Sequence, residues 1–426
     1  MKKFSLFILF GSLAVAGPAR SEEAANALPE LLRQARERNP EIKSAFQKWK
    51  VVDKESGAAS VWPNPTISYI DEKDPTGVEG MEPMKRKHYG IEQEIPFPGK
   101  LSSEARMKRH EARIAEADYR NVVLDVESRI KILAARMGTT DRQIALAREN
   151  VASMRRALSA TQSRIAANKG MTSDFFMAQM ELRRMENMVF EKTQERKALV
   201  IELNALLDLP IDHPWTAPFP QPEWREFDRD LAGVAQIAEN NSPLIQSAQH
   251  EINHSHAMRT RSRFEYAPDF GIMYEYQTAG EGPGGTGPAG RQLGLSLSVP
   301  LWLKRPMRLA AGAEAHRLEA EAEAINMINM VKKMVAMECN EVITHVTLAR
   351  KIQNEILPAA NGALKITHRQ YAAGRGDFLR LLEANRAWTS MQMEYQDEIY
   401  HVAEHWALLE KWVGTSLETN KEEKKQ

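Results

Sequence analysis

The sequence predicts a mixed fold of very long α-helices and four short β-strands, laid out twice along one chain. Three observations carry this: an internal repeat at a near-constant offset, a stretch of about 68 residues with no proline and one glycine, and four segments that alternate apolar with polar residues.

The repeat comes first. Asn39-Pro40-Glu41-Ile42-Lys43-Ser44-Ala45 recurs as Ser242-Pro243-Leu244-Ile245-Gln246-Ser247-Ala248, a shift of 203, and Pro65 falls on Pro268 at the same shift. One residue further out of register, Gly90-Ile91 meets Gly294-Leu295, Pro96 meets Pro300, Lys100 meets Lys304 and Gly170 meets Gly374; Asp174-Phe175 then meets Asp377-Phe378. These matches predict two copies of one plan, repeat one at 28–210 and repeat two at 231–414. A proline-rich connector, 211–230, lies between them, and a polar tail, 415–426, follows.

Each copy reads helix, strand, strand, very long helix, turn, helix. Leu101–Asn168 holds only Gly138 as a breaker and is rich in good helix formers. Ile130, Leu133, Ala134 and Met137, then Ile144, Ala147 and Val151, fall at spacings of three and four. A helix of that length spans about 100 Å at 1.5 Å per residue, so it needs partner helices along its course, as in a helical tube.

The strands are Thr66–Ile70, His88–Ile95, Asp269–Tyr276 and Gln292–Val299, and the last alternates without a break. Period-two alternation gives each strand one apolar and one polar face. Two arrangements satisfy it: a soluble sheet laid over the helices, or a membrane barrel with its apolar face toward lipid and its polar face toward a wet lumen. Four strands cannot enclose a channel, whereas three chains would supply twelve.

Composition narrows the setting. Of 426 residues 57 are acidic and 57 basic, so neither sign marks a nucleic-acid or anionic partner. The single cysteine, Cys339, excludes an intramolecular disulfide framework and a thiolate zinc cluster. Lys2 and Lys3 precede an apolar run and small residues at Gly17, Ala19 and Ser21, the pattern of a signal peptide over 1–21, leaving one domain over 22–426. Past that leader no apolar run reaches the ~20 residues of a membrane helix.

Two constellations have the look of chemistry. His250-Glu251-Ile252-Asn253-His254 matches the HExxH zinc-protease pattern, in which two histidines one turn apart hold the metal and the glutamate acts as base. A catalytic zinc also needs a third protein ligand, and no glycine-histidine extension follows His254. Met81, Met84 and His88 are soft-to-borderline donors that would suit copper or silver; in a loop and strand start they read equally as surface residues. No residue is assigned as catalytic or as a metal ligand, and no cofactor is expected. A secreted zinc peptidase and a soluble periplasmic helical-hairpin adaptor are the competing readings; the second accounts for the hairpins but not for a twofold repeat with four alternating strands.

Leu28-Pro29-Glu30-Leu31-Leu32, Asn39-Pro40-Glu41-Ile42, the strand entry Trp62-Pro63-Asn64-Pro65 and the hairpin ends Leu203–Leu207 and Leu408–Gly414 resemble the TolC family of outer-membrane efflux factors. Glu92-Gln93-Glu94-Ile95-Pro96-Phe97-Pro98-Gly99-Lys100 is similar to the strand-to-helix motif of its heavy-metal-efflux branch. The resemblance implies a non-catalytic homotrimer: a twelve-stranded barrel in the outer-membrane lipid, four strands per chain, continued by a long α-helical barrel into the periplasm. It implies docking to a periplasmic adaptor (membrane fusion) protein and an inner-membrane resistance-nodulation-division pump, with metal cations as the expected cargo. It assigns the adaptor-docking tip to Gly170, Met171, Asp174, Gly374 and Arg375 and the periplasmic gate to Asp377, Arg380 and Glu383. The chain departs from the family where two acidic gate positions fall on Arg380 and Glu383, one of which is basic here.

Overall fold

A computed structural model describes residues 28–74, 84–168, 170–222, 230–282 and 285–417. The expected leader 1–21, Met81 and most of the tail 415–426 lie outside the described residues, as does part of the connector.

The element order reads twice. The first copy holds α1 (Leu28–Arg38), α2 (Pro40–Ala58), β1 (Thr66–Asp74), β2 (Met84–Ile95), α3 (Lys100–Ala166) and α4 (Thr172–Leu206). The second holds α5 (Leu231–Asn241), α6 (Pro243–Arg263), β3 (Asp269–Gln277), the two-residue strands β4 (Glu281–Gly282) and β5 (Gly285–Thr286), β6 (Gly290–Ser298), α7 (Lys304–Lys351), α8 (Leu357–Ala372) and α9 (Phe378–Val413). A π turn, Ile352–Ile356, joins α7 to α8.

Both copies break their first helix in the same way. A residue ahead of proline is pushed out of the helical region, and proline itself suits the first helical position. Thus α1 stops before Asn39-Pro40, and Ser242, at φ −60° and ψ 121°, separates α5 from α6. Asn39 Nδ2 donates to Leu206 O at 2.8 Å, which ties this break to the end of α4.

The chain divides into two compact units, the cut falling inside α3, α7 and α9. One carries the described residues of Met1–Asn39, Arg129–Arg225 and Thr344–Glu404; the other carries those of Pro40–Ser128, Glu226–Ile343 and His405–Gln426. In the first, Ile130, Leu133, Met137, Ile144, Ala147 and Val151 are buried at the helical spacing expected for α3. The lone glycine of α3 has a steric reason: a Cβ on Gly138 would lie 2.2 Å from Pro220 O, so the connector backbone crosses there. Asp141 holds that crossing by accepting from Phe219 N at 2.9 Å and from Arg196 Nε at 2.5 Å, and Trp215 Nε1 donates to Asn204 Oδ1 at 2.7 Å.

In the second unit β1, β2, β3 and β6 form an antiparallel sheet in that order. β1 and β2 run longer than their alternating cores, where Asp71 and Glu72 stand opposite Lys87 and Arg86. The two short strands β4 and β5 pair with each other, Glu281 opposite Thr286 and Gly282 opposite Gly285. Phe97-Pro98-Gly99-Lys100 turns β2 into α3: Gly99 takes φ +102°, a Cβ there would meet the Phe264 ring at 2.5 Å, and Lys100 Nζ reaches Asp269 Oδ2 at 2.5 Å. Cys339 packs beside Val335, Leu409 and Val413, where burial pushes its thiol up to about 11.

Candidate functional site

Register gives the sheet two faces. Ile67, Ile91, Tyr274 and Leu293 stand in one row across all four strands, and Tyr69, Tyr89 and Tyr276 form the next row. All are exposed, and Leu295 and Ile67 reach 82% and 80%. Ser68, Glu275 and Gln292 make a row on the opposite face, with Glu92 and Ser296 further along it. There His88 Nδ1 lies 2.5 Å from Glu275 Oε1 and its Nε2 lies 2.8 Å from Glu72 Oε2. This carboxylate pairing engages the histidine of the Met81–Met84–His88 set.

A sheet that turns Leu, Ile and Tyr outward cannot rest in water without an apolar partner. Its nine-residue strands β1, β3 and β6 match the 9–11 residues of a tilted membrane strand. Among the described residues no helix is long and apolar enough to cross a membrane.

The first unit contains the two hairpin turns. α8 closes on Gly374, at φ +73°, whose N–H bonds Tyr371 O at 3.0 Å while Arg375 N–H bonds Gln370 O at 3.0 Å. This doubled cap requires a left-handed residue, which glycine supplies without strain. Asp377 then caps α9, its Oδ1 accepting from Leu379 N at 3.3 Å. At the other turn the left-handed residue is Asn168, at φ 57°, and α4 follows Met171.

Between the turns Tyr371 (5% exposed) and Phe378 (1%) stand 5.4 Å apart by ring centroids, packed with Met154, Ala178, Leu182 and Leu381 from the neighbouring helices. Thr161 Oγ1 lies 3.2 Å from the Tyr371 hydroxyl, and the Arg164 guanidinium sits 4.3 Å over its ring. Asp174 is brought near Asp377: burial first, and then the Asp377 charge, raise its carboxyl pKa against the opposing pull of Arg164. Arg380 and Glu383 are exposed, and neither has an ion pair among the described residues. Met171, Phe176 and Met180 leave apolar surface bare beside the turns.

The HExxH stretch lies on α6. His254 Nδ1 is 3.4 Å from Glu251, the would-be base, and the His250 and His110 rings face each other at 6.1 Å. Burial keeps both His250 and His110 below the usual imidazole pKa. Among the described residues, His250 and His254 belong to no metal-capable group of three. Elsewhere in the first unit the His345 and His401 rings stack with centroids 4.8 Å apart, a pair that their sequence spacing does not show.

A model of the outer membrane efflux protein family matches residues 31–208 and 234–415, most of both copies. Among solved structures the chain is similar to CusC (14% identity, 95% of this chain and 96% of that one, TM-score 0.81). It is also similar to the open-state MtrE outer membrane channel of Neisseria gonorrhoeae (16%, 94% and 94%, 0.77) and to the outer membrane protein VceC of Vibrio cholerae (16%, 92% and 97%, 0.77). A comparison with the curated proteins gives no match. The chain belongs to the outer membrane efflux protein family, the TolC-type outer-membrane factors: channel proteins without catalytic activity, of α plus membrane-β fold, whose strands sit in the outer membrane and whose helices reach into the periplasm.

Proposed function

We propose that three copies of this chain close a twelve-stranded barrel and serve as a passive conduit for solutes handed over by an inner-membrane resistance-nodulation-division pump through a periplasmic adaptor. The observation that carries the reading is the exposed apolar row Ile67–Ile91–Tyr274–Leu293, set on a sheet with two open edges. β1 pairs only with β2 and β6 chiefly with β3 among the described residues. In hydrocarbon an unpaired edge costs several kcal/mol per polar group, so β6 of one copy pairs with β1 of the next. Two copies would give eight strands, whose interior side chains fill; three leave a lumen.

In this reading repeat one (28–210) and repeat two (231–414) each give two strands and one hairpin, joined by the connector 211–230. Gly170, Met171, Asp174, Gly374 and Arg375 form the docking tip, where the bare Met171 and the two caps support contact with an apolar adaptor surface. Asp377, Arg380 and Glu383 line the gate, and Arg380 pairs with a carboxylate of a neighbouring copy. The cargo is metal cations, supported by the resemblance of Glu92–Lys100 to the heavy-metal branch.

Expression in a strain lacking its own outer-membrane factor, with the cognate pump and adaptor, tests this. Heat-resistant trimers in outer membranes and restored growth on zinc, cobalt or cadmium are expected. A monomer in the soluble periplasm would overturn the channel, and rescue on drugs alone would overturn the cargo.

A further inference from the structure

We propose that Leu301, Trp302 and Leu303, with Lys304, Arg305 and Arg308 at the start of α7, form a binding surface for anionic phospholipid headgroups in the periplasmic leaflet of the outer membrane. The surface rests on the membrane reading of the sheet and adds to it a lipid class and the residues that select it.

All four long strands meet their helices at one end of the sheet, since β1 and β3 start where β2 and β6 stop: Thr66 stands opposite Glu92, and Asp269 opposite Ser298. At that end the apolar character of β6 outlasts the strand. Val299, Leu301, Trp302 and Leu303 follow it, all exposed, and Trp302 reaches 84%. Trp62, ahead of β1, and Tyr266, ahead of β3, are exposed at the same end.

Depth places these residues at a boundary. Leu295 stands near the middle of β6, and Leu301 is six positions further on. At about 3.4 Å per residue and a tilt of about 45°, six positions descend roughly 14 Å, close to half of a hydrocarbon layer of about 30 Å. Trp302 therefore falls where hydrocarbon gives way to headgroups, the level at which tryptophan and tyrosine collect.

Charge then names the lipid. No Asp or Glu occurs between Glu281 and Glu314, whereas Lys304, Arg305 and Arg308 fall within five positions and are all exposed. None of the three has an ion pair among the described residues. At the opposite end of the sheet the cations are matched, Lys87 by Asp71 and Arg86 by Glu72 across the strands. Unmatched cations beside a bare apolar segment complement a phosphate layer under hydrocarbon.

The first copy treats the same positions differently. Phe97 and Lys100 correspond to Leu301 and Lys304 in the repeat. Phe97 packs on Phe264 with ring centroids 6.3 Å apart, and Lys100 is held by Asp269 at 2.5 Å. The turn after β2 is thus satisfied within the chain, and the turn after β6 is left for a partner.

The test uses the full chain, purified in detergent and titrated with phosphatidylglycerol or with phosphatidylcholine of the same acyl chains, bound lipid being counted by native mass spectrometry. At about fivefold per basic residue near a lipid surface, phosphatidylglycerol should bind tenfold or more tighter. The combined variant Lys304→Gln, Arg305→Gln, Arg308→Gln should lose that preference, and Trp302→Ala should weaken both lipids alike. Lys333→Gln, further along α7, should keep the parent behaviour. Equal affinity for the two lipids, a preference that survives the combined variant, or displacement of the lipid by millimolar inorganic phosphate would overturn the site. Loss of trimers in Trp302→Ala without any lipid preference in the parent would assign the surface to a neighbouring copy instead. Those results with parent trimers still in outer membranes would leave the channel standing, whereas a soluble chain that binds neither lipid would fail the membrane reading itself.

Discussion

Glu181 and Arg386 are joined across α4 and α9 with the carboxylate sealed and the guanidinium half in water: Nη2 and Nε donate to Glu181 Oε2 at 2.6 and 3.0 Å, and the Glu181 side chain is 3% exposed. Removing the arginine strands a buried charge, whereas removing both groups does not. Arg386→Met should cost about 2 kcal/mol, read as a lower denaturant midpoint of the purified protein. The double variant Glu181→Leu with Arg386→Met should recover most of that loss; an additive double loss would contradict the pairing.

The two faces of β6 make opposite demands. Arginine at Leu295, on the exposed apolar face, should cost ~2–4 kcal/mol at mid-bilayer depth. Arginine at Ser296 stands with Glu94 on the polar face and should be accepted. The yield of heat-resistant assembly in outer membranes separates the two variants. Equal tolerance would mean that the sheet faces water on both sides.

The turn between α3 and α4 should respond to pH through Asp174. Its folded pKa is raised by burial and by Asp377, so the native state binds a proton more tightly than the unfolded chain. Stability then falls as pH climbs from about 3.9, the unfolded value, through the raised one. Compared with the parent, Asp174→Asn should gain in thermal midpoint between pH 3 and pH 7. A difference that stays constant over that range would remove the repulsion from the account.

Arg380 has no partner within its own chain among the described residues and is exposed beside Glu383. If it meets a carboxylate of the next copy, Arg380→Glu sets like charges together and loosens the mouth. Single-channel conductance of the purified protein should rise. An unchanged conductance would take Arg380 out of the gate.

The HExxH stretch should be silent. Glu251 is the neighbour of His254 on α6, and the chain belongs to a family of channels. Glu251→Gln and His254→Ala should leave efflux-dependent resistance as it was. Peptide cleavage by the parent protein, lost in Glu251→Gln, would contradict this.

Much of the fold was legible because its signals are long. A proline-free run with apolar residues at helical spacing allows few structures, and α3 lies within two residues of its expected ends. The alternating cores of β3 and β6 were equally readable. β2 runs past its alternating core because Lys85-Arg86-Lys87 has no apolar face to read; Arg86 and Lys87 stand opposite Glu72 and Asp71, a relation between distant residues that periodicity cannot express. The same limit hid the histidines. His345 and His401 are 56 positions apart in the numbering, and only the packing of α7 against α9 makes them neighbours.

The π turn at Ile352–Ile356 also has a cause and a consequence. Pro358 offers no N–H to the helix it enters, and Leu357 N–H reaches back five residues to Ile352 O. The second long helical run comprises segments of 48, 5 and 16 residues, yet Lys304 and Gly374 stand as far apart in sequence as Lys100 and Gly170. A π turn takes up one residue more than an α turn, and one residue is about 100° of rotation about the helix axis, so the second hairpin aims its end differently from the first. In a trimer the six hairpin ends would then alternate between two kinds. A partner that recognises one kind finds it three times around the mouth, and one that grips all six must carry two dissimilar contact surfaces.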